Sequence, residues 1–245
     1  MKYPAYDLAC CLVFVAPARA AELIEIQDGP ALAAYLTRLM PTEETSFEGT
    51  LNIISRQQGR RVVPFVSRIR LRDHSWEVTY ETFPNGGASP ERLTVVHSPS
   101  APNVYYYSKT SGGQDAPPQE LSGSQACVPF AQSDFWLADL GRDFFQWPTQ
   151  RLLPPQMRKG RPCKVLESRP AATSPCPYGK VISWIDNENG AVILAEAYDK
   201  QDQRIKEFEV ESVAKVDGQW QPQELKIQDL TNRSRTLLKF KLKEE

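Results

Sequence analysis

YGKVISWIDNENGAVILAEAYDKQDQRIKEFEVESVAKVDGQWQPQELKIQDLTNRSRTLLKFKL, residues 178–242, reads as a run of hairpins. Val181, Ser183 and Ile185 alternate with Ile182, Trp184 and Asp186. Asp186-Asn187-Glu188-Asn189-Gly190 then breaks the pattern with turn chemistry. The apolar run 191–198 ends at Asp199-Lys200-Gln201-Asp202, and the run 205–213 is closed by Val216-Asp217-Gly218-Gln219. An Asp-Gly pair suits a tight hairpin because Gly accepts positive φ without steric cost. A strand over 220–230 follows, then Thr231-Asn232-Arg233-Ser234. The last strand sets Leu238, Phe240 and Leu242 against Lys239, Lys241 and Lys243. Short strands at regular spacing with turns between them predict an antiparallel meander. Its one apolar and one charged face predict one buried side and one wet side.

Four segments in order carry a family resemblance. Gly160-Arg161-Pro162-Cys163-Lys164-Val165-Leu166-Glu167, followed by 178–186, is similar to the "GRPCYVLE" strand of the LolA-like outer-membrane lipoprotein-sorting proteins and the strand after it. Ala197-Tyr198-Asp199-Lys200 continues the pattern. Val216-Asp217-Gly218-Gln219-Trp220-Gln221-Pro222 resembles the family's "DGxWxP". Upstream, Ser133-Asp134-Phe135 with Leu137, Asp139 and Leu140 resembles "GSDFSYEDL", with Gln132 in place of the usual Gly. The likeness is close in the C-terminal half and loose before it. It implies an α+β, mainly β fold: a curved antiparallel sheet, an open half-barrel, with helices on its concave face.

The chain opens on Met1-Lys2-Tyr3, a short apolar core from Leu8 to Val15, and Ala18-Arg19-Ala20. That is the plan of a cleaved secretory signal, residues 1–20, leaving one domain over 21–245 in the periplasm. The apolar run is too short to be a permanent anchor. Removing 1–20 takes away Lys2, Arg19 and Asp7 and leaves 27 basic against 29 acidic residues, net −2. So near-neutral a chain offers no electrostatic case for nucleic acid. Cys127, Cys163 and Cys176 remain. In an oxidising compartment two of them can pair, and a Cys163–Cys176 bridge would tighten one hairpin; the other reading of Cys163 is a buried free thiol. No Cys/His cluster suggests zinc.

The best helix spans 30–40, with Leu32, Tyr35, Leu36 and Leu39 on one stripe between Pro30 and Pro41. A strand over 46–55 puts Phe47, Gly49, Leu51 and Ile53 on one side. Gln57-Gln58-Gly59 turns it into 61–72, where Pro64 implies an edge or a bulge. After Asp73-His74, Trp76, Val78 and Tyr80 alternate with Glu77, Thr79 and Glu81, so the first three should share the concave side with Leu51 and Ile53. Two more strands follow, over 93–97 and 104–109, and residues 111–124 read as a surface loop. Ser133 is placed to cap a helix over 133–140 bearing Phe135, Trp136, Leu137 and Leu140; Phe144, Phe145 and Trp147 complete the densest aromatic cluster.

Catalytic signatures are sparse. His74 and His97 lie at strand ends beside Asp73 and Ser98, with no Gly-x-Ser-x-Gly elbow, and no phosphate or dinucleotide loop is present. The reading is binding rather than catalysis, without a cofactor. Two hypotheses follow. The first is a periplasmic carrier holding lipoprotein acyl chains or other lipid against Leu32, Leu36, Leu51, Ile53, Trp76, Val78, Tyr80, Phe135, Trp136 and Leu140. Its wall should be apolar, without directional polar anchors. The resemblance implies an inner-membrane release complex and an outer-membrane acceptor as its partners. The second is a sensor of the same fold that binds a regulatory membrane protein. A third reading, a hydrolase, has no recognisable nucleophile motif behind it, and the many carboxylates alternate with Lys and Arg as on a solvated sheet face, leaving only a glycosidase-like carboxylate pair open.

Overall fold

A computed structural model describes residues 23–56, 59–85, 89–110, 116–216 and 219–242. The expected signal peptide, the turn residues Gln57 and Gln58, residues 111–115 of the expected loop and the Asp217-Gly218 pair lie outside the described residues.

The fold is mainly β. Its strands are β1 (Thr45–Ser55), β2 (Gly59–Arg72), β3 (Ser75–Thr82), β4 (Glu91–His97), β5 (Val104–Lys109), β6 (Gln119–Leu121) and β7 (Thr149–Arg158). Then come β8 (Arg161–Arg169), β9 (Tyr178–Asp186), β10 (Val192–Asp199), β11 (Arg204–Val216), β12 (Gln219–Asp229) and β13 (Ser234–Phe240). All belong to one antiparallel sheet ordered β6-β5-β4-β3-β2-β1-β13-β12-β11-β10-β9-β8-β7. Two meanders thus join where the first strand meets the last, with Leu51 opposite Leu238. The sheet does not close into a barrel. Its edges, β6 and β7, are neighbours in sequence but twelve interstrand steps apart, roughly 58 Å of arc at about 4.8 Å per step. The intervening segment 122–148 must therefore travel from one edge to the other, and it does so across the concave face.

Register fixes what that face presents. Val63 opposite Leu51, Ser67 opposite Tyr80 and Val78 opposite Val95 place Leu51, Ile53, Trp76, Val78 and Tyr80 together, all buried. This is the expected register. The outer face carries ion pairs, among them Glu81 between Arg68 on β2 and Arg92 on β4. Such exposed pairs contribute at most about 1 kcal/mol each. On the concave side lie α1 (Gly29–Thr37), N-capped by Asp28 accepting from the Ala31 N–H at 2.8 Å, and α2 (Leu137–Gly141).

Several expectations need correction. The N-terminal helix ends at Thr37, not Met40. The helix expected over 133–140 is confined to Leu137–Gly141, because Ser133 turns its hydroxyl to the Phe135 N–H instead of capping a helix. Pro64 does not mark an edge: β2 is interior, between β1 and β3. The Pro64 carbonyl accepts from Phe83, one residue beyond the end of β3, so the missing N–H points where the ladder has already stopped. The expected loop 111–124 contains β6. Cys163 and Cys176 do not pair; Cys163 is a buried free thiol whose Sγ donates to the Arg161 carbonyl.

Gly141, the last residue of α2, has no room for a side chain. A Cβ there would collide with the Tyr105 hydroxyl, which is itself held by Asp143. Gly141→Ala is expected to cost about 1–3 kcal/mol by overpacking, a fall in Tm of roughly 3–10 °C. Thermal denaturation followed by circular dichroism is the check, and an unchanged Tm would refute the close contact.

Candidate functional site

The crossing segment is pinned on its way to the centre of the sheet and at it. Ala131 and Gln132 adopt left-handed φ of 52° and 54°. The Ala131 N–H donates to Glu91 at 2.7 Å and its carbonyl accepts from Arg61 at 2.8 Å. Asp134 then docks on β13, accepting from Ser234 and from the Thr236 hydroxyl at 2.6 Å, while its N–H donates to Thr236 Oγ1 at 3.0 Å. Burial pushes the Asp134 carboxyl above its ordinary range, and those two hydroxyls oppose the shift. After this clamp Asp139 Oδ2 accepts from the Trp136 N–H at 2.9 Å and starts α2, which Arg142 stops at φ 55°.

Beyond the clamp the segment roofs a cavity of about 60 Å³. The roof is Phe135, Leu140 and Phe144. The floor comes from four adjacent strands: Val181, Ala195 and Ala197, Phe208, and Ile227. Pairing sets Val181 opposite Ala197, Ala195 opposite Phe208 and Phe208 opposite Ile227, so these side chains share one face. The gap exists because β10 places two alanines where the first meander uses Leu, Val and Tyr.

One wall is polar. Lys206, on the same face of β11 as Phe208, is 4% exposed in its side chain. Its Nζ lies 3.0 Å from Asp139 Oδ2 and 3.6 Å from the centre of the Trp136 ring, which stacks on Tyr178 at 4.8 Å. The Tyr178 hydroxyl donates to Asp139 Oδ1 at 2.9 Å. Desolvation pulls the Lys206 ammonium below its usual range, and Asp139 opposes that pull. Burial drives the Tyr178 phenol well above its own. The wall therefore carries a directional anchor, contrary to the expectation of a purely apolar lining.

A second polar cluster lies nearer β4. His97 stacks on Trp76 at 5.0 Å, and its Nδ1–H donates to Asn103 Oδ1 at 3.0 Å. Asn103 Nδ2 donates to the Gly141 carbonyl and to Asp143 Oδ1, both at 2.8 Å. Among the described residues, no group of three or more His, Cys, Asp and Glu side chains is placed to hold a metal ion.

The sequence-derived lining residues separate into three groups. Phe135 and Leu140 line the cavity, and Trp136 forms the aromatic surface beneath Lys206. Leu36 and Trp76 border a gap of about 10 Å³ beside His97. Leu32, Leu51, Ile53, Val78 and Tyr80 are packed in the core, none more than 4% exposed. Sequence reading missed Asp139, Tyr178, Ala195, Ala197 and Lys206. Alternation alone would have found Lys206: in Lys206-Glu207-Phe208-Glu209-Val210 it shares parity with Phe208 and Val210.

Among the described residues, no helix is long and apolar enough to cross a membrane. A family model described as "-like: Uncharacterized protein" matches residues 105–243. No curated protein matches the chain. Solved structures do. A DUF1329 family protein from Desulfovibrio piger superposes with a TM-score of 0.70 at 16% identity, over 86% of this chain and 89% of the other. A domain described as belonging to an outer-membrane lipoprotein-sorting protein, from Vibrio parahaemolyticus, gives 0.68 at 15% identity, over 87% and 90%. A LolA superfamily protein from Nitrosomonas europaea gives 0.55 at 14% identity, over 90% and 96%. Identities this low speak for the shared fold.

Proposed function

We propose, from the premise that this chain belongs to the LolA-like family, that it is a periplasmic carrier that shields a lipoprotein acyl chain or another lipid on the concave face. The observation that carries the reading is the apolar gap between the floor of β9–β12 and the roof Phe135, Leu140 and Phe144. An acyl chain gains roughly 0.8 kcal/mol for each CH₂ it buries there, enough for transient shielding from water.

The gap of about 60 Å³ is well below the roughly 300 Å³ at which ligand pockets begin. In this reading the structure is the closed, unloaded form, and loading lifts 135–147 while the clamp at Asp134 stays on β13. Site residues are reassigned accordingly. Phe135, Trp136 and Leu140 remain lining candidates, joined by Ala195, Ala197, Phe208 and Ile227. Leu32, Leu51, Ile53, Val78 and Tyr80 are core. Transfer between an inner-membrane release complex and an outer-membrane acceptor belongs to the same proposal.

A fluorescent fatty-acyl probe is expected to bind and to be displaced by a lipopeptide. Ala195→Leu fills the gap with an apolar side chain and should weaken probe binding at least tenfold while leaving Tm within a few degrees. A wild-type protein that takes up no probe, or a variant that binds as well as wild type, would refute the reading. Failure of the wild type would turn attention to the sheet as a docking surface for a regulatory membrane protein, the use best suited to a filled concave face.

A further inference from the structure

The crossing segment leaves β6 through a short 3₁₀ turn, Gly123–Ala126, and the next residue is Cys127. Cys176 lies two residues before β9. Their sulfurs are 3.2 Å apart. Cys163 is elsewhere, in a separate cluster with Val165 and Trp184. An S–S bond is about 2.05 Å long, so small side-chain rotations would close the Cys127–Cys176 gap.

We infer that Cys127 and Cys176 form an intramolecular disulfide that ties the start of the crossing segment to the lead-in of β9. Formation in the cell rests on the proposed periplasmic location, where protein-disulfide oxidants are available; the pairing itself rests on the geometry. Cys127, the more exposed of the two, gives up its proton and attacks the disulfide of the oxidant. That S–S bond breaks, and a mixed disulfide forms. The Cys176 sulfur then attacks Cys127 and displaces the oxidant. The two cysteines lose two electrons and two protons, and the oxidant's disulfide becomes a dithiol. The tie also bears on the cavity. Tyr178, two residues after Cys176, holds Asp139, so the crosslink limits how far the roof can swing at that end.

Two samples test this: protein exported in a Gram-negative host, and reduced protein incubated with glutathione disulfide. Each is alkylated, digested without reduction and mapped by mass spectrometry. The expected product in both is a Cys127–Cys176 linked peptide pair, with Cys163 alkylated only after denaturation. The oxidised protein should melt roughly 10 °C above the same protein reduced with dithiothreitol, and Cys163→Ser should keep that difference. Cys127 and Cys176 recovered as separate alkylated thiols after glutathione treatment, a crosslink to Cys163, or no change in Tm on reduction would overturn the inference. A link that forms with glutathione disulfide but is absent from the exported sample would uphold the pairing and count against the proposed compartment.

Discussion

Asp139→Asn is expected to destabilise the protein by about 3–5 kcal/mol at pH 7, because it leaves the Lys206 ammonium buried without its counter-charge. Asparagine keeps the size of the side chain and can still accept from the Trp136 N–H, so the start of α2 is retained and the loss reports the charge. The sign of the pH dependence follows from Lys206. Desolvation already holds its folded pKa below the ordinary value, against the pull of Asp139 and, further off, Asp229 and Asp134. Removing Asp139 lowers the folded value further. Between the folded and unfolded pKa values the unfolded chain binds the extra proton, so stability rises with pH across that window. The deficit of Asp139→Asn should therefore shrink between pH 7 and pH 10, as measured by urea unfolding. Adding Lys206→Met should recover most of the loss, since an apolar chain of similar length still packs on Trp136 and Tyr178. A single variant as stable as wild type at pH 7, or one whose deficit grows with pH, would show that the pair is not buried as described.

The sequence reveals most where side chains alternate cleanly. The hairpins β9 to β13, the tight turn at Asp73-His74 and the inward set Trp76, Val78 and Tyr80 follow from a period of two and from turn chemistry. Where the period is hidden, reading fails for identifiable reasons. β7 carries Pro154-Pro155 and a register shift between Leu153 and Gln156, features that an edge strand tolerates but that do not read as a strand. β6 has three residues, too few for a pattern. The helix expected over 133–140 does not start at Ser133, because the chain before Leu137 is not helical. The shape of that stretch comes instead from Arg61, Glu91, Ser234 and Thr236, partners brought in from distant strands. The cavity was harder still. Ala195 and Ala197 matter for what they leave empty, and a charged residue on an inward position reads as an exception until its partner across the fold is known. The aromatic residues of the roof were legible; the floor and the Lys206–Asp139 pair needed the topology that brings 135–147 over β10 and β11.

Acid should destabilise the protein through His97, and Asp143 should partly mask the effect. Burial, aided by the charge of Arg142, pulls the His97 imidazole down to about 3, with the Asn103 hydrogen bond opposing. Its unfolded value is near 6.5. Between those values the unfolded chain binds the proton that the folded one refuses, so stability falls as pH drops, by about 1.4 kcal/mol per pH unit and by roughly 4–5 kcal/mol in total at pH 3. Asp143 works in the other direction. Burial raises its carboxyl from 3.8 to about 6, with the Tyr105 and Asn103 hydrogen bonds opposing. From pH 6 down to 3.8 the folded state therefore takes up the extra proton and gains stability, by up to roughly 3 kcal/mol. The two opposing slopes nearly cancel in that window, leaving losses just below pH 6.5 and again below 3.8. Asp143→Asn keeps an oxygen to accept from Tyr105 and Asn103 but removes the compensating titration. Its stability should fall steadily from pH 6.5 toward pH 3, and adding His97→Gln should flatten the fall. The difference between these two variants isolates His97 from the acid response of the other carboxylates. Parallel urea midpoints across pH 3–7 for the single and double variants would mean that His97 does not stay neutral in the folded protein.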